Sequence, residues 1–580
     1  MKRLFTLFLC VQVAFTLDAQ IFEINQNFPE VNGASRSANW VDLNLDGNLD
    51  IFITNGPSSG QNNEAYLGFG NGNFVPYNAD DPMMLDQSPS VGATFAHANT
   101  FPGMDVFIAT WYNERNLHYT WSGDIFEQVE VAPPADEFSY SETGAFGDAD
   151  ADGFLELYVT NSAGSDLRNL YYAPSQLGAF IQISDGEQVQ DEGASRGVTW
   201  IDYDNDGDAD LFVTNEDNAP NRLYQNQGDG SFLAIENEII TVNAGATMSG
   251  TWGDYNNDGY MDLFICNYGS DNQLYRNSPD GFIEITESVV SSDGGYSFSA
   301  NWGDIDNDGD LDLFVSNAFE PDNQTLNNFL YINNGDETFT KVESEIVSQN
   351  EGWTYGNAFG DYDEDGDMDL LTANCYNDAE ANRLYRNTTS DGEDSPSWIE
   401  IHCVGTISNP LAVGTRVSVL AVINGEEVWQ TREISSQSSY CGQNMYPVHF
   451  GLGDADEILE LTLDWPSSPT ETYTNLEVNQ HFGAVEGNGP MGIDEIEEIP
   501  VVIYPNPAVS QVNLAFEKDI SAPMHLKVFD LQGKEVLDLG PLQVGVNRLE
   551  YDISNLPAGT FLFRGTGAET EFVRKIYITR

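Results

Sequence analysis

Acidic side chains recur along this 580-residue chain at the spacing a hard cation needs. Six stretches begin at Asp42, Asp148, Asp202, Asp254, Asp304 and Asp361, each with an acid or amide at positions one, three, five and nine and a glycine at position six. Calcium takes roughly six to eight oxygen ligands at about 2.3–2.6 Å, so side-chain oxygens at alternate positions must fold around one point, and glycine lets the chain turn there. The proposed ligands are Asp42, Asn44, Asp46 and Asp50; Asp148, Asp150, Asp152 and Glu156; Asp202, Asp204, Asp206 and Asp210; Asp254, Asn256, Asp258 and Asp262; Asp304, Asp306, Asp308 and Asp312; and Asp361, Asp363, Asp365 and Asp369. The glycines are Gly47, Gly153, Gly207, Gly259, Gly309 and Gly366. Position seven is Asn48, Phe154, Asp208, Tyr260, Asp310 or Asp367, a mixture that fits a backbone carbonyl ligand. Asp, Asn and Gly also favour turns without any ion. Turn chemistry alone does not place acids at four fixed positions each time, because packed like charges repel. About six Ca2+ ions are therefore expected.

The elements around the loops must be strands. A helix-flanked calcium loop carries a further acid at position twelve. Here Ile53, Val159, Val213, Ile265, Val315 and Thr372 stand in that place, inside runs such as Leu211-Phe212-Val213. With a worn copy at His97, the loop starts are 55, 51, 54, 52, 50 and 57 residues apart. A period near fifty with strand-sized apolar runs predicts a seven-bladed β-propeller. One unit reads as Gly250-Thr251-Trp252, Leu263-Phe264-Ile265, Gln273-Leu274-Tyr275 and Phe282-Ile283-Glu284-Ile285, the last after an Asp280-Gly281 turn. The runs from Phe359 to Gly366 and from Trp252 to Gly259 resemble FG-GAP/VCBS repeats, the calcium-binding blades of integrin α-chain propellers. That resemblance covers about residues 21–390.

The aromatic residue two places before each loop (Trp40, Phe95, Phe146, Trp200, Trp252, Trp302, Phe359) is expected to pack between blades, with a ligand platform as the alternative. The last unit lacks an evident fourth strand after Arg383-Leu384-Tyr385, and Ile21-Phe22-Glu23-Ile24 resembles one. The amino-terminal segment is therefore expected to complete the seventh unit and remove an open edge. In the worn copy His97, Asn99, Phe101 and Pro102 replace acids and glycine while Asp105 keeps the ninth place. A transition-metal site is one reading of His97, and a loop without an ion is the favoured one.

Composition excludes some partners. The formal charge is −72, from 21 basic and 93 acidic residues. Six calcium ions would leave about −60, so nucleic acid and anionic membrane are poor partners. The proposed ligands include 22 of these carboxylates, and solubility in salty surroundings accounts for the rest better than an acidic docking patch. Residues 1–19 read as a signal peptide, with Lys2 and Arg3 before an apolar run from Leu4 to Leu17. No other apolar stretch approaches the roughly eighteen residues of a membrane helix, so no transmembrane segment is expected. Of Cys266, Cys375, Cys403 and Cys441, the last two share a module and are a possible pair, and free buried thiols are the alternative.

Two further units follow residues 20–390. Residues 398–485 are rich in alternating strands, and Val413-Gly414-Thr415-Arg416-Val417, His449-Phe450-Gly451-Leu452-Gly453, Leu463-Asp464-Trp465-Pro466-Ser467 and Asn479-Gln480 resemble the ASPIC/UnbV module that follows FG-GAP repeats in cartilage acidic protein-like chains. Its His402, His449 and His481 are a metal cluster on one reading and structural strand histidines on the favoured one. Residues 486–499 form an acidic, glycine-containing linker. Within 500–580, Tyr504-Pro505-Asn506-Pro507, the run from Val528 to Lys534, Leu556-Pro557-Ala558-Gly559-Thr560-Phe561 and Lys575-Ile576-Tyr577-Ile578 resemble the carboxy-terminal sorting domain of the type IX secretion system. The expected fold class is all-β, a propeller followed by a small β module and a carboxy-terminal β-sandwich. The last resemblance implies a Bacteroidetes-type source, type IX machinery as a partner, and a secreted or outer-membrane surface-attached protein.

Two function classes follow. The favoured one is a calcium-binding surface protein that engages an extracellular protein or glycan. The alternative is a polysaccharide-degrading enzyme or its accessory carbohydrate-binding module. The recurrent carboxylates are already assigned to metal, and neither an isolated acid pair, a nucleophile elbow nor a zinc motif is evident, so no catalytic residue is assigned. Trp111, Tyr112, Tyr440 and Tyr446 lie outside the repeat register and are weak candidates for sugar platforms, with ordinary packing as the alternative.

Overall fold

The computed structural model describes residues 20–490 except 99–102, 123–124, 130–131, 176–178, 322–325, 350–351, 377–379, 393–394 and 488, together with shorter stretches between 497 and 578. The expected signal peptide lies outside the described residues.

Seven strands of seven residues open the repeats: Ser35–Val41, Ser90–Ala96, Ser141–Gly147, Ser195–Ile201, Thr247–Gly253, Ser297–Gly303 and Thr354–Gly360. Each pairs antiparallel with a six-residue strand: Asp50–Asn55, Asp105–Thr110, Glu156–Asn161, Asp210–Asn215, Asp262–Asn267, Asp312–Asn317 or Asp369–Asn374. The ninth residue of every acidic loop is thus the first residue of its second strand, which fixes one carboxylate to a rigid ladder. Third and fourth strands complete a four-stranded set. The last set is completed by Phe22–Ile24, which pairs with Arg383–Asn387 in the register Phe22↔Asn387 and Ile24↔Tyr385. This is the pairing expected of the amino-terminal segment.

The expected propeller and carboxy-terminal sandwich are corrected by the sheet hydrogen bonding. The described strands form fourteen small open sheets, and none closes into a barrel or curls upon itself. The physical reason is that each repeat uses its ladder hydrogen bonds within its own strands. Neighbouring repeats consequently meet through side chains and short two-stranded bridges, such as Ala219–Pro220 with Ala244–Gly245. Residues 497–578 likewise contribute two open sheets, of five and three strands.

The seven-residue strands pack side by side in chain order, and Thr354–Gly360 packs against Ser35–Val41. The aromatic residues before the loops sit in these contacts, as expected of packing. Trp40, Phe95, Phe146 and Phe359 are inaccessible to solvent. The indole N–H groups of Trp40, Trp200, Trp252 and Trp302 donate to Ala358 O, Ala145 O, Thr199 Oγ1 and Thr251 O of neighbouring seven-residue strands, at 3.2, 3.1, 3.0 and 3.4 Å. Each tryptophan both fills apolar space and satisfies its one donor.

The module after the repeats has two four-stranded sheets. One orders Val448–Gly453, Ser397–Val404, Gln480–Val485 and Gly489–Pro490; the other orders Glu426–Glu433, Arg416–Ile423, Glu457–Asp464 and Glu471–Glu477. A shared core includes Ile399, Ile401, Val417, Val419, Phe450, Leu461 and Phe482.

Candidate functional site

In all six intact loops the N–H of the sixth-position glycine donates to the first-position carboxylate, at 2.8–3.1 Å. The seventh-position N–H donates to the fifth-position carboxylate at 2.9–3.2 Å. The second-position N–H donates to the ninth-position acid at 2.8–3.4 Å. Glycine is needed because φ at the sixth position lies between 84° and 103°. The fourth position is also left-handed, at Leu45, Ala151, Asn205, Asn257, Asn307 and Glu364. Sequence reasoning assigned this position nothing. Its asparagines link loops in series: Asn205 Nδ2 donates to Gly259 O at 3.0 Å, Asn257 Nδ2 to Gly309 O at 3.2 Å and Asn307 Nδ2 to Gly366 O at 3.1 Å.

These bonds account for the turn but leave surplus negative charge. One oxygen each from Asp202, Asp204 and Asp206 lie within 4.8 Å of one another, and the same holds for Asp304, Asp306 and Asp308, for Asp361, Asp363 and Asp365, and for Asp148, Asp150 and Glu156. Such convergence without a cation is unfavourable in a poorly solvated site. Burial, reinforced by neighbouring carboxylates, pushes Asp50 up to about 8, Glu156 up to about 9 and Asp210 up to about 9. Asp312 and Asp369 are raised well above the usual range for the same reasons. Buried Oδ1 atoms of Asp204, Asp304, Asp306 and Asp363 have no hydrogen-bond partner. Three of these four belong to third-position residues. An all-oxygen donor set with unpartnered buried oxygens fits a hard divalent ion. The Asp42 and Asp254 loops have an amide at position three instead, and Asn44 Nδ2 and Asn256 Nδ2 donate to Asp46 and Asp258 at 3.0 and 3.1 Å.

In the worn copy Asp105 Oδ1 lies 3.1 Å from His118 Nε2, and His97 Nδ1 lies 2.8 Å from Gly103 O. His118 therefore meets the one retained acid. Asn99, Phe101 and Pro102 lie outside the described residues.

The module packs onto the loops, which sequence reasoning did not anticipate. Gly451 N–H donates to Asp304 Oδ2 at 3.0 Å, and Asp202 N–H donates to Glu433 Oε2 at 3.3 Å. Arg416 reaches Asn205 Oδ1 and Gly259 O. The Arg432 guanidinium lies over the Phe450 ring and interacts with Asp304, Asp254 and Asp310. Residues 435–446 run among the seven-residue strands. Ser436 Oγ and Ser439 Oγ accept N–H bonds from Phe146 and Ala300 at 2.8 and 3.0 Å, Asn444 Oδ1 accepts one from Phe359 at 2.8 Å, and Gly442–Gln443 adds a parallel strand beside Ala38 and Asn39. The Ser-Ser-Gln-Ser-Ser run at 435–439 was the available signal, since small hydroxyl side chains satisfy backbone groups in tight spaces.

Tyr440 is not a surface platform, and Tyr446 is half-buried. Tyr440 is fully buried, its hydroxyl donates to Glu142 Oε2 at 2.6 Å, and Glu142 Oε1 lies 2.6 Å from Arg196 Nη1. The Tyr446 hydroxyl donates to Phe95 O. Trp111 Nε1–H donates to Ser162 Oγ at 3.0 Å, while Tyr112 is 46% exposed. Cys266, Cys375, Cys403 and Cys441 form no disulfide. Among the described residues no helix is long and apolar enough to cross a membrane.

Comparison with known proteins adds family assignments. The family described as FG-GAP-like repeat matches residues 202–265, 254–315 and 320–372; ASPIC and UnbV matches 405–490; and the secretion system C-terminal sorting domain matches 502–579. Cartilage acidic protein 1 of Mus musculus is 25% identical over 388 residues, covering 63% of this chain and 58% of that protein. Its Homo sapiens counterpart is 24% identical over 388 residues, covering 63% and 56%. The match spans a little over half the length of these relatives. Among solved structures, the V. cholerae biofilm matrix protein Bap1 aligns at TM-score 0.31 and 11% identity, covering 97% of this chain and 84% of that one, too low a score to carry an argument. The chain thus carries FG-GAP-like repeats, an ASPIC and UnbV module and a secretion system C-terminal sorting domain, in that order.

Proposed function

We propose that this chain is a secreted or surface-attached binding protein. Its repeat loops hold about six calcium ions, its exposed loops engage an extracellular protein or glycan, and type IX machinery exports it. One observation carries the reading: the third-position Asp204, Asp306 and Asp363 each converge with neighbouring carboxylates and each keep a buried Oδ1 without a donor. Calcium bound there would lower the repulsion and stiffen hairpins already fixed at position nine. The sorting domain supports export, where free calcium is available to such sites.

Binding is favoured over catalysis because the recurrent acids are held by backbone N–H groups at the strand hairpins. That arrangement builds rigidity and not a proton-transfer pair. The test applies the mature protein, with calcium and with chelator, to an array of glycans and extracellular-matrix proteins, alongside a turnover assay on polysaccharides. Calcium-dependent retention of one ligand class without product release is expected. Release of sugars from any polysaccharide would contradict the binding role.

A further inference from the structure

Three of the six histidines in the chain stand on adjacent strands of one module sheet, around a single buried acid. Ser397–Val404 pairs antiparallel with Val448–Gly453, placing Glu400 opposite His449, and parallel with Gln480–Val485, placing Glu400 opposite His481. His402 lies two residues beyond Glu400 and so shares its face. Glu400 Oε1 is 2.5 Å from His402 Nε2 and 3.1 Å from His481 Nδ1. One ligand atom from each of the three lies within 4.8 Å of the other two. The histidine rings are 5.6 Å apart and inclined at 68°.

Two further facts point to a missing partner. Glu400 is only 3% exposed, and its Oε2 has no hydrogen-bond partner. His449 Nε2 lies 3.0 Å from Gly366 O, which requires a proton on that nitrogen, so Nδ1 of the neutral ring is a lone pair. That Nδ1 is buried and unpartnered too. Ordinary ion pairing between Glu400 and its two neighbours leaves the Glu400 Oε2 acceptor unexplained.

We propose that Glu400, His402 and His481 form a second kind of metal site, selective for one borderline divalent transition-metal ion, Zn2+ foremost. Two imidazole nitrogens and one carboxylate oxygen suit zinc and its neighbours and disfavour calcium, which takes oxygen alone. The side chains of His402 and His481 are 42% and 32% exposed, so ions enter from solvent and a coordination position stays open to water or a ligand atom. The module would then separate metals by donor chemistry: hard ions in the repeat loops, a nitrogen-binding ion on its own sheet.

The test uses the full mature chain, stripped with chelator and resupplied with millimolar Ca2+ to fill the oxygen sites. Co2+ is titrated while visible absorption is followed, and Zn2+ is competed against a chromophoric chelator. One ion per chain, with cobalt ligand-field bands displaced by zinc, is the expected result. His402→Ala and His481→Ala should each weaken binding by roughly tenfold or more while calcium-dependent melting is retained; His481→Gln serves if alanine unfolds the sheet. Absence of one-to-one Co2+ and Zn2+ binding by the wild-type chain would overturn the proposal, as would undiminished binding by the folded variants.

Discussion

At the scale of single residues, the loops divide labour among chemically similar acids. First- and ninth-position carboxylates accept backbone N–H groups and hold the turn, whereas the third-position acids of three loops present an unpartnered buried oxygen. Asp306 shows the contrast most clearly, because burial raises its carboxyl above the usual range while Oδ1 has no donor. Asp306→Ala should therefore remove one calcium per chain and cost about 1–3 kcal/mol when calcium is present. In chelator the same change should be neutral or mildly stabilising, since it deletes a repelling charge. Thermal melting in the two conditions checks this sign reversal. Asn307 offers a second residue-scale test. It holds a left-handed backbone and donates to Gly366 O and Asp367 Oδ1 of the next loop, so Asn307→Ala should destabilise the chain by about 1–2 kcal/mol, measured by denaturant unfolding.

At the scale of elements, the hairpin that carries each loop depends on side-chain packing between neighbouring repeats. Trp40 is inaccessible, stacks on Tyr362 at 6.0 Å and donates to Ala358 O, so Trp40→Ala should cost about 3–5 kcal/mol in chemical denaturation. The loops also set a pH dependence when calcium is absent. Among the ninth-position acids, burial pushes Asp50 up to about 8 and Glu156 and Asp210 up to about 9 in the folded chain, against about 4 in an unfolded one. The folded state then binds more protons across that window. Stability is fully present below about pH 4 and is lost as pH rises through 8 to 9. Melting in chelator should fall between pH 5 and pH 8.5, and saturating calcium should flatten the fall. Much of this was legible in the sequence: fixed acid spacing located the hairpins, and the likeness of Ile21-Phe22-Glu23-Ile24 to a fourth strand located its partner near Tyr385. The left-handed fourth position was not legible, because Leu45 and Ala151 occupy it beside three asparagines and carry no turn signature. Sheet closure was misjudged, because a repeat period reports the unit and not how hydrogen bonds are divided between units.

At the scale of the whole molecule, the ASPIC and UnbV module lies against the acidic loops and threads residues 435–446 among the seven-residue strands. These contacts join residues 85 to 290 positions apart, which is why alternating strands alone did not reveal them. Arg432 is the central cation, half-buried and within electrostatic reach of Asp254, Asp304 and Asp310. Arg432→Ala should lower the melting temperature by leaving those acids less compensated, and added calcium should recover part of the loss. The same arrangement bears on how a chain of formal charge −72 keeps its densest acidic clusters folded: loop amides and Arg432 share the neutralisation, which the proposed calcium ions would complete. Metal content of the purified mature protein, measured by elemental analysis after dialysis against micromolar free calcium, tests this most directly. About six calcium ions per chain, removed by chelator with a fall in melting temperature on the order of 10 °C, is the predicted result. No bound calcium, or identical melting with chelator and with excess calcium, would contradict it.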